Sequence, residues 1–303
     1  MPLTDARGRN RLTPSRIART ALRRAALPAN YACLAARSRL AGGPVVDPRS
    51  DVTVSLTTHG ERLATVHLSI ESIARGTVLP GQLLLFLDAP MPDRLPAGLV
   101  RLQRRGLEVR ESPGGLGPHT KYYPFVTGPE AGIRRLVTAD DDIVYPRDWL
   151  ESLVRVGDEH PQDVVCHRAH QITFADGEAL PYTRWIWNAR PGASHLNFLT
   201  GVSGVLYPRE LQRRLAARGQ AFQDRCPRAD DIWLNWVAWR EGFRVRQVAA
   251  RPHQYPTLMS TQTVSLLSQN VDQDLNEPQF RATYDAEDLA RLLALAEQGA
   301  IEG

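Results

Sequence analysis

Hydrophobic and polar residues alternate over residues 51–58, where valine and leucine at every second position are separated by threonine and serine. This period of two predicts a β-strand. Apolar residues at helical spacing follow over residues 63–73, and residues 83–87 form a continuous apolar run that ends at Asp88. Continuous apolar runs are typical of strands that are buried on both faces, as in a parallel sheet.

Helices and strands keep alternating toward the middle of the chain. A helical segment at residues 99–102 precedes a strand candidate at residues 107–109, and a further apolar run over residues 133–137 leads to three aspartates. The order β-α-β-α-β predicts an open α/β sheet with right-handed crossovers. The second half is less regular, and its predicted elements are a helix at 149–154, a strand at 164–166, a helix at 209–218 and a helix that begins at 230.

Three consecutive aspartates at residues 140–142 stand where one of the predicted strands ends. Like charges at this spacing repel, and carboxylate oxygens are ligands that suit Mg²⁺ and Mn²⁺. Open α/β sheets bind ligands outside the carboxyl ends of their strands, where Thr57, His59 and Asp88 also fall. This convergence favours a site for a metal and a diphosphate over the alternative interpretation, a solvated acidic turn.

Composition narrows the class of protein. The chain has 303 residues, 43% of them hydrophobic, which is ample material for a core. No apolar stretch reaches the length of about 18 residues that a transmembrane helix needs. Cys33, Cys166 and Cys226 are far apart in the sequence and do not suggest a disulfide framework, so the reducing cytoplasm is the expected compartment.

Positive charge is concentrated at the start of the chain. The net charge is +4, and residues 1–40 hold nine arginines against one acid, Asp5. Such a segment can contact an anionic membrane surface or nucleic acid, or be a solvated leader. The remainder has no basic stripe, which argues against a nucleic-acid partner. Lys121 is the only lysine in the chain, and its compact ammonium predicts a phosphate contact, with chance as the alternative.

Several segments together resemble the nucleotide-sugar-dependent glycosyltransferases of the GT-A fold, in particular bacterial family-2-like enzymes of surface-polysaccharide synthesis. These segments are the first strand with its Thr-Thr-His turn and residues 85–88, 138–142, 200–208 and 229–234. The resemblance covers roughly residues 51–245. It implies an α/β fold with a GT-A (Rossmann-like) mixed, mainly parallel sheet flanked by helices. The implied domains are a basic N-terminal extension at 1–50, the glycosyltransferase domain at 51–250 and a C-terminal extension at 251–303.

The same resemblance assigns roles to the acidic residues. The aspartate cluster corresponds to the DxD motif of the family, with Asp142 as the main metal ligand and Asp140 facing the ribose or a metal-bound water. Asp231 corresponds to the catalytic base of inverting members, which carry Glu-Asp at this place. The Asp-Asp pair of this chain leaves the role of Asp230 open. The residues implied or predicted to bind the nucleotide and its diphosphate are Thr57, His59, Asp88, Lys121, Asp140 and Asp141.

Further residues are candidates for substrate and metal contacts. Gly201 and Gly204 would form the floor near the donor sugar, because a missing side chain lets a ligand approach. His167 and His170 would line the acceptor side or simply pack. Trp185 and Trp187 could stack on a sugar ring, with burial in the core as the alternative. His253 is the candidate for an additional metal ligand. A zinc site at Cys166, His167 and His170 lacks a clear fourth ligand.

The expected function is therefore that of a cytoplasmic glycosyltransferase. It would move a sugar from a nucleotide-diphosphate sugar to a hydroxyl of a glycan or lipid-linked acceptor, with Mn²⁺ or Mg²⁺ and inversion at the anomeric carbon. Residues 1–40 would give peripheral contact at the inner face of the plasma membrane, and no nucleic acid would be bound. The alternatives are a metal-dependent nucleotidyl or phosphoester transferase and a basic nucleic-acid-binding protein.

Overall fold

A computed structural model of the chain describes residues 28–189, 192–258 and 275–301. Most of the arginine-rich segment for which membrane contact is predicted lies outside these residues. Its described part, residues 28–40, is helical and is called α1. Leu34 of α1 is buried against Leu68, Val144 and Leu258, so α1 is packed on the main body of the protein. Within the described ranges, no helix combines the length and the apolar character needed to cross a membrane.

Strands and helices of the described residues are numbered in chain order. The strands are β1 (Val52–Thr58), β2 (Gln82–Leu87), β3 (Leu107–Glu111), β4 (Arg135–Ala139), β5 (Val164–Cys166), β6 (Ala169–Gln171), β7 (Phe174–Ala175), β8 (Glu178–Ala179), β9 (Ile186–Trp187), β10 (Ala193–Ser194), β11 (Asn197–Leu199), β12 (Val205–Tyr207) and β13 (Val245–Gln247). The helices after α1 are α2 (Val66–Ala74), α3 (Ala97–Gln103), α4 (Tyr123–Val126), α5 (Trp149–Glu159), α6 (Arg209–Ala217), α7 (Phe222–Arg225), α8 (Asp230–Arg240), α9 (Asn276–Thr283) and α10 (Ala286–Ile301).

The centre of the fold is an eight-stranded mixed sheet in the order β10-β13-β5-β12-β4-β1-β2-β3. Strands β3, β2, β1 and β4 run parallel, and β12 runs antiparallel to both of its neighbours, β4 and β5. The predicted fold class, a mixed and mainly parallel sheet flanked by helices, is confirmed. In this register Thr58 lies beside Leu87 and Leu56 beside Ala139, so the chain leaves β1, β2 and β4 at one edge.

Both faces of the central strands are covered. Along β4, Leu136 belongs to the hydrophobic cluster on one face and Val137 to the cluster on the other. Three of the four polar positions of β1 are buried as well as the apolar ones, and hydrogen bonds compensate them. The Ser55 hydroxyl donates to the backbone carbonyl of Lys121 at 2.7 Å. Ile133 lies outside β4 and is 65% exposed, so the predicted apolar run began too early.

A second, smaller sheet was not predicted from the sequence. Strands β11, β6 and β9 form an antiparallel sheet in which His170 pairs with Phe198 on one side and Trp187 on the other. The strands have only two or three residues each, which is too short for a periodic pattern to indicate them.

The described C-terminal residues return to the same edge of the central sheet. The Leu258 N–H donates to the Asp142 carbonyl at 2.6 Å, and the Val144 N–H donates to the Pro256 carbonyl at 2.8 Å. Helices α9 and α10 follow. The boundaries predicted at residues 50 and 250 stay a prediction.

Helix α10 is tied to α8 through one buried carboxylate. Asp288 accepts indole N–H groups from Trp236 at 2.9 Å and Trp239 at 3.0 Å, and Arg240 lies 2.7 Å away. All three donors belong to α8, the helix that carries Asp230 and Asp231 in its first turn.

We expect Asp288→Ala to lower the free energy of unfolding by about 2–6 kcal/mol, because it leaves two buried indole N–H groups without their acceptor, at about 1–3 kcal/mol each. Urea denaturation measures this change. Glu287→Ala is the matched control, since Glu287 is an exposed acid in the same helical turn, and we expect it to change stability by less than about 0.5 kcal/mol. Equal stabilities of the two variants would contradict the anchoring role of Asp288.

Candidate active site

A cavity of about 1120 Å³ opens at the carboxyl ends of β1, β2 and β4. This is the edge at which ligands of open α/β sheets bind. Of the predicted site residues, those that line the cavity are Thr57, His59, Asp88, Lys121, Asp140, Asp141, Asp142, His170, Asp230 and Asp231. Those that do not line it are Gly201, Gly204, His167, Trp185 and His253.

The middle aspartate of the acidic cluster is paired with protein groups, although burial still raises its pKa. Asp141 is buried, and its carboxylate accepts the Thr58 hydroxyl at 2.7 Å and the Arg62 guanidinium at 2.8 Å. Arg62 also lies 3.5 Å from Asp142. Arg62 was not among the predicted site residues, although it lies in the polar turn that follows β1.

Asp142 carries negative charge that its surroundings do not fully compensate. Burial, followed by the charges of Asp140 and Asp141, raises the pKa of its carboxyl to about 7, although Arg62 opposes this shift. A carboxylate whose charged form is destabilised in this way is stabilised by a cation that approaches it. The backbone carbonyl of Asp142 accepts the Leu258 N–H, which ties the loop of Asp142 to the residues around 258.

Lys121 joins the acidic cluster to the second pair of aspartates. Its buried Nζ lies 3.2 Å from an oxygen of Asp140 and 3.0 Å from an oxygen of Asp230. Burial alone would lower the pKa of the ammonium, but the neighbouring carboxylates outweigh burial and raise it well above its ordinary value. The lysine is therefore a fixed positive charge between the two acidic groups.

Asp231 is held by the loop between β11 and β12. Its carboxylate accepts the Gly201 N–H at 2.8 Å. Burial, followed by the charge of Asp230, raises the pKa of Asp231 above its ordinary value, while Lys121 acts in the opposite direction. A Cβ at Gly201 would lie 2.8 Å from Asp231 Oδ1 and 3.0 Å from Lys121 Nζ, so glycine is needed for this approach.

Gly204 lies in the same loop between β11 and β12, outside the cavity lining. Its φ of +101° belongs to the left-handed region, and a Cβ there would lie 2.6 Å from the indole nitrogen of Trp149. The Trp149 indole itself donates to the carbonyl of Ser203 at 2.7 Å. Both glycines thus shape the loop, although neither one lines the cavity.

Residues at the ends of β1 and β2 form another part of the cavity lining. Asp88 accepts backbone N–H groups from Leu116 at 3.3 Å and Gly117 at 3.0 Å, which ties it to the loop before α4. Thr57 donates its hydroxyl to the Phe86 carbonyl at 3.1 Å, and His59 is exposed.

The two histidines predicted for the acceptor side have separate environments. His167 is buried, with Nε2 3.1 Å from the Trp149 carbonyl and Nδ1 3.2 Å from the Tyr255 hydroxyl, so it is a packing residue. His253 lies beside it, with ring centroids 5.8 Å apart, away from the cavity lining. The structure therefore does not bring His253 to the acidic cluster as a metal ligand. His170 does line the cavity.

Of the two tryptophans considered for sugar stacking, the structure buries Trp185 and exposes Trp187. Trp185 packs on Phe198 and Phe280, and its indole donates to the Leu180 carbonyl at 2.9 Å. It belongs to the core and not to a substrate surface. Trp187 is 41% exposed and lies under the guanidinium of Arg168, a cavity residue that the sequence analysis did not single out.

The acidic cluster offers carboxylate oxygens to a divalent metal. Among the described residues, no three His, Cys, Asp or Glu side chains form a metal-binding group, which also leaves the zinc interpretation of Cys166, His167 and His170 without support. Mg²⁺, however, needs only one or two protein carboxylates and completes its shell with water and phosphate. Asp142, whose charge Arg62 compensates only in part, and Asp140 fit this mode. Asp141 is occupied by Thr58 and Arg62.

No family model and no curated protein matches the chain. Among solved structures, it is similar to the mannosyltransferase PcManGT from Pyrobaculum calidifontis in complex with GDP-Man and Mn²⁺, at 17% identity and a TM-score of 0.47 over 95% of this chain and 86% of that one. It is also similar to S. aureus TarS 1–349, at 15% identity and a TM-score of 0.44 over 67% of this chain. The chain spans 59% of the length of TarS 1–349. At these identities and TM-scores, the similarities carry no argument about activity, substrate or metal.

We expect Arg62→Met to lower the melting temperature, because it removes the cation closest to Asp141 and leaves that buried carboxylate unpaired, at a cost of about 3–5 kcal/mol. Addition of Mn²⁺ should raise the melting temperature of this variant more than it raises that of the unaltered protein. The reason is that a divalent cation would reduce the repulsion among the carboxylates of residues 140–142, which Arg62 reduces in the unaltered protein. Arg94→Met, at an exposed arginine, is the matched control. A variant as stable as the unaltered protein would contradict the role of Arg62.

Proposed function

We propose that the chain is a GT-A glycosyltransferase that moves a sugar from a nucleotide-diphosphate sugar to a hydroxyl of a glycan or lipid-linked acceptor, with inversion at the anomeric carbon. One observation carries this proposal. Lys121 Nζ contacts Asp140 of the acidic cluster and Asp230, which directly precedes Asp231, so the residues proposed to bind the diphosphate and the candidate base line one cavity.

Asp231 is the catalytic base in this proposal. It would take the proton of the acceptor hydroxyl as the hydroxyl oxygen attacks the anomeric carbon. The new bond joins the acceptor oxygen to the anomeric carbon, and the bond from that carbon to the phosphate oxygen breaks with its electron pair remaining on the diphosphate. The raised pKa of Asp231 suits it to this role, because a carboxylate of ordinary pKa is a weaker base.

The donor would lie along the edge of the central sheet. Asp88, Thr57 and His59 would contact the nucleoside, and Lys121 would face the diphosphate. Asp142 and Asp140 would hold Mn²⁺ or Mg²⁺, which when bound stabilises the charge on the departing diphosphate. Gly201 positions Asp231 through its N–H and leaves the space that the carboxylate occupies.

The setting of the reaction is also a proposal. The acceptor would belong to a bacterial surface polysaccharide of the cell envelope, and the protein would act in the cytoplasm. Residues 1–40, with their nine arginines, would contact anionic lipid at the inner face of the plasma membrane. No nucleic acid is part of the proposed function.

The first test is a panel of UDP- and GDP-sugars, assayed for Mn²⁺-dependent binding by thermal shift and for turnover. We expect one nucleotide class to stabilise the protein only with metal present. Asp142→Asn should lower the affinity for the nucleotide with metal at least about tenfold, since it removes a charged ligand. Asp93→Asn, at an exposed acid, is the matched control. A phosphoester product in place of a glycosidic bond, or no response to any nucleotide, would overturn the proposal.

The second test uses pH. A base works only when deprotonated, so we expect kcat/KM to fall on the acid side with a midpoint well above the value of about 3.9 of a free aspartate. Asp231→Asn should lower kcat by about 10²–10⁴-fold. Asp230→Asn removes a negative charge that raises the pKa of Asp231, so its acid limb should move to lower pH. An acid limb that stays in place in Asp230→Asn would contradict the coupling of the two carboxylates.

A further inference from the structure

Arg168 is a half-buried cation in the wall of the cavity. Within the described residues no carboxylate lies at salt-bridge distance from its guanidinium, and its Nε is buried without a hydrogen-bond partner. Burial lowers the pKa of Arg168, because the charged form is poorly solvated there, while the charges of Asp231 and Asp140 oppose this shift from a greater distance. A half-buried cation without an acid in direct contact is available to an anion of a ligand.

The small sheet holds this guanidinium in one orientation. The guanidinium carbon lies 4.4 Å from the centroid of the Trp187 ring, a cation–π contact between the residue before β6 and strand β9. Thr200 donates both its backbone N–H, at 3.1 Å, and its hydroxyl, at 3.3 Å, to the Arg168 carbonyl. These two hydrogen bonds fix the backbone of Arg168 as well. Arginine that is already oriented loses less freedom when it binds a planar group of oxygens.

His170 is a second polar group on the same wall. It stands edge-on to Trp187, with ring centroids 4.6 Å apart, and neither of its ring nitrogens has a partner in the described residues. Burial, followed by the charge of Arg168, lowers the pKa of His170 to about 4, so its ring is neutral near pH 7. A neutral imidazole offers one N–H donor and one acceptor, a combination that suits a sugar hydroxyl.

The position of Arg168 favours the acceptor over the donor as the source of the anion. Thr200, which is bonded to the Arg168 carbonyl, directly precedes Gly201, and Gly201 holds Asp231. Arg168 therefore belongs to the side of the cavity where the base meets the acceptor. The donor diphosphate would already have Lys121 and the metal held by the acidic cluster as its cations.

We propose that Arg168, oriented by Trp187 and accompanied by His170, binds a phosphate or carboxylate group of the acceptor, which is therefore an anionic glycan or polyol-phosphate unit. This inference rests on the proposed function, because it uses the acceptor side of that site. The guanidinium would donate two parallel N–H groups to two oxygens of the anion. Trp187 acts here as a positioning residue for Arg168.

Two pairs of probes that differ in one charged group test the proposal. They are methyl glucuronide against methyl glucoside, and glycerol 3-phosphate against glycerol, titrated by calorimetry with the nucleoside diphosphate and Mn²⁺ at saturation. We expect each anionic probe to bind at least about tenfold more tightly than its neutral partner. Arg168→Gln should abolish the difference, whereas Arg184→Gln, at an exposed arginine near the small sheet, should preserve it.

Two further variants keep the test decisive if Arg168→Gln does not fold. Arg168→Lys retains the positive charge and loses the planar fork, and should give an intermediate preference. Trp187→Ala removes the support of the guanidinium and should also reduce the preference for the anionic probes, whereas Trp187→Phe should restore most of it. Melting temperatures of all variants show which ones are folded.

Three results would overturn the proposal. They are equal binding of the anionic and neutral probes, no binding of either anionic probe, and a loss of nucleotide affinity in Arg168→Gln with the probe preference intact, which would make Arg168 a donor residue. If no nucleotide binds, the proposed function fails by that result, and the same probes titrated without nucleotide still decide whether Arg168 binds an anion.

Discussion

Repulsion among the five carboxylates of residues 140–142 and 230–231, which line one cavity, is the constraint on which the site depends. Two cations among the described residues contact them: Arg62 pairs with Asp141, and Lys121 joins Asp140 to Asp230. Burial raises the pKa of Asp141 in spite of Arg62, and it also raises the pKa values of Asp142 and Asp231. Asp142 and Asp231 have no ion pair as close as those of the other three aspartates, and they are the carboxylates proposed to bind the metal and to accept a proton.

The surrounding fold keeps these charges in place. Lys121 is fixed through its own backbone, because its carbonyl accepts the Ser55 hydroxyl in the middle of the buried strand β1. Asp230 and Asp231 begin helix α8, where the helix dipole favours negative charge, and α8 is tied to α10 through Asp288. Hydrophobic packing and hydrogen bonds outside the site therefore oppose the charge repulsion within it.

The parallel half of the sheet and its acidic strand ends could be predicted from the sequence, because buried strands and the residues that follow them are local patterns. Contacts between distant segments could not. Nothing near Arg62 in the sequence shows that it reaches Asp141, which is 79 positions away. Trp185 and Trp187 look equivalent in the sequence, yet Trp185 ends a 3₁₀ turn that directs it into the core, while Trp187 lies in β9 and is exposed.

The single lysine of an arginine-rich chain is explained by space as well as by charge. Its ammonium fits between Asp140 and Asp230 in a position where even a methyl group added at Gly201 would approach to 3.0 Å. A guanidinium is larger and planar, and it would have to displace either the Gly201 loop or one of the two carboxylates. Because the same loop holds Asp231, such a displacement would move the candidate base. The size of the cation between the acidic groups therefore controls the position of the base, and lysine meets a requirement that arginine does not.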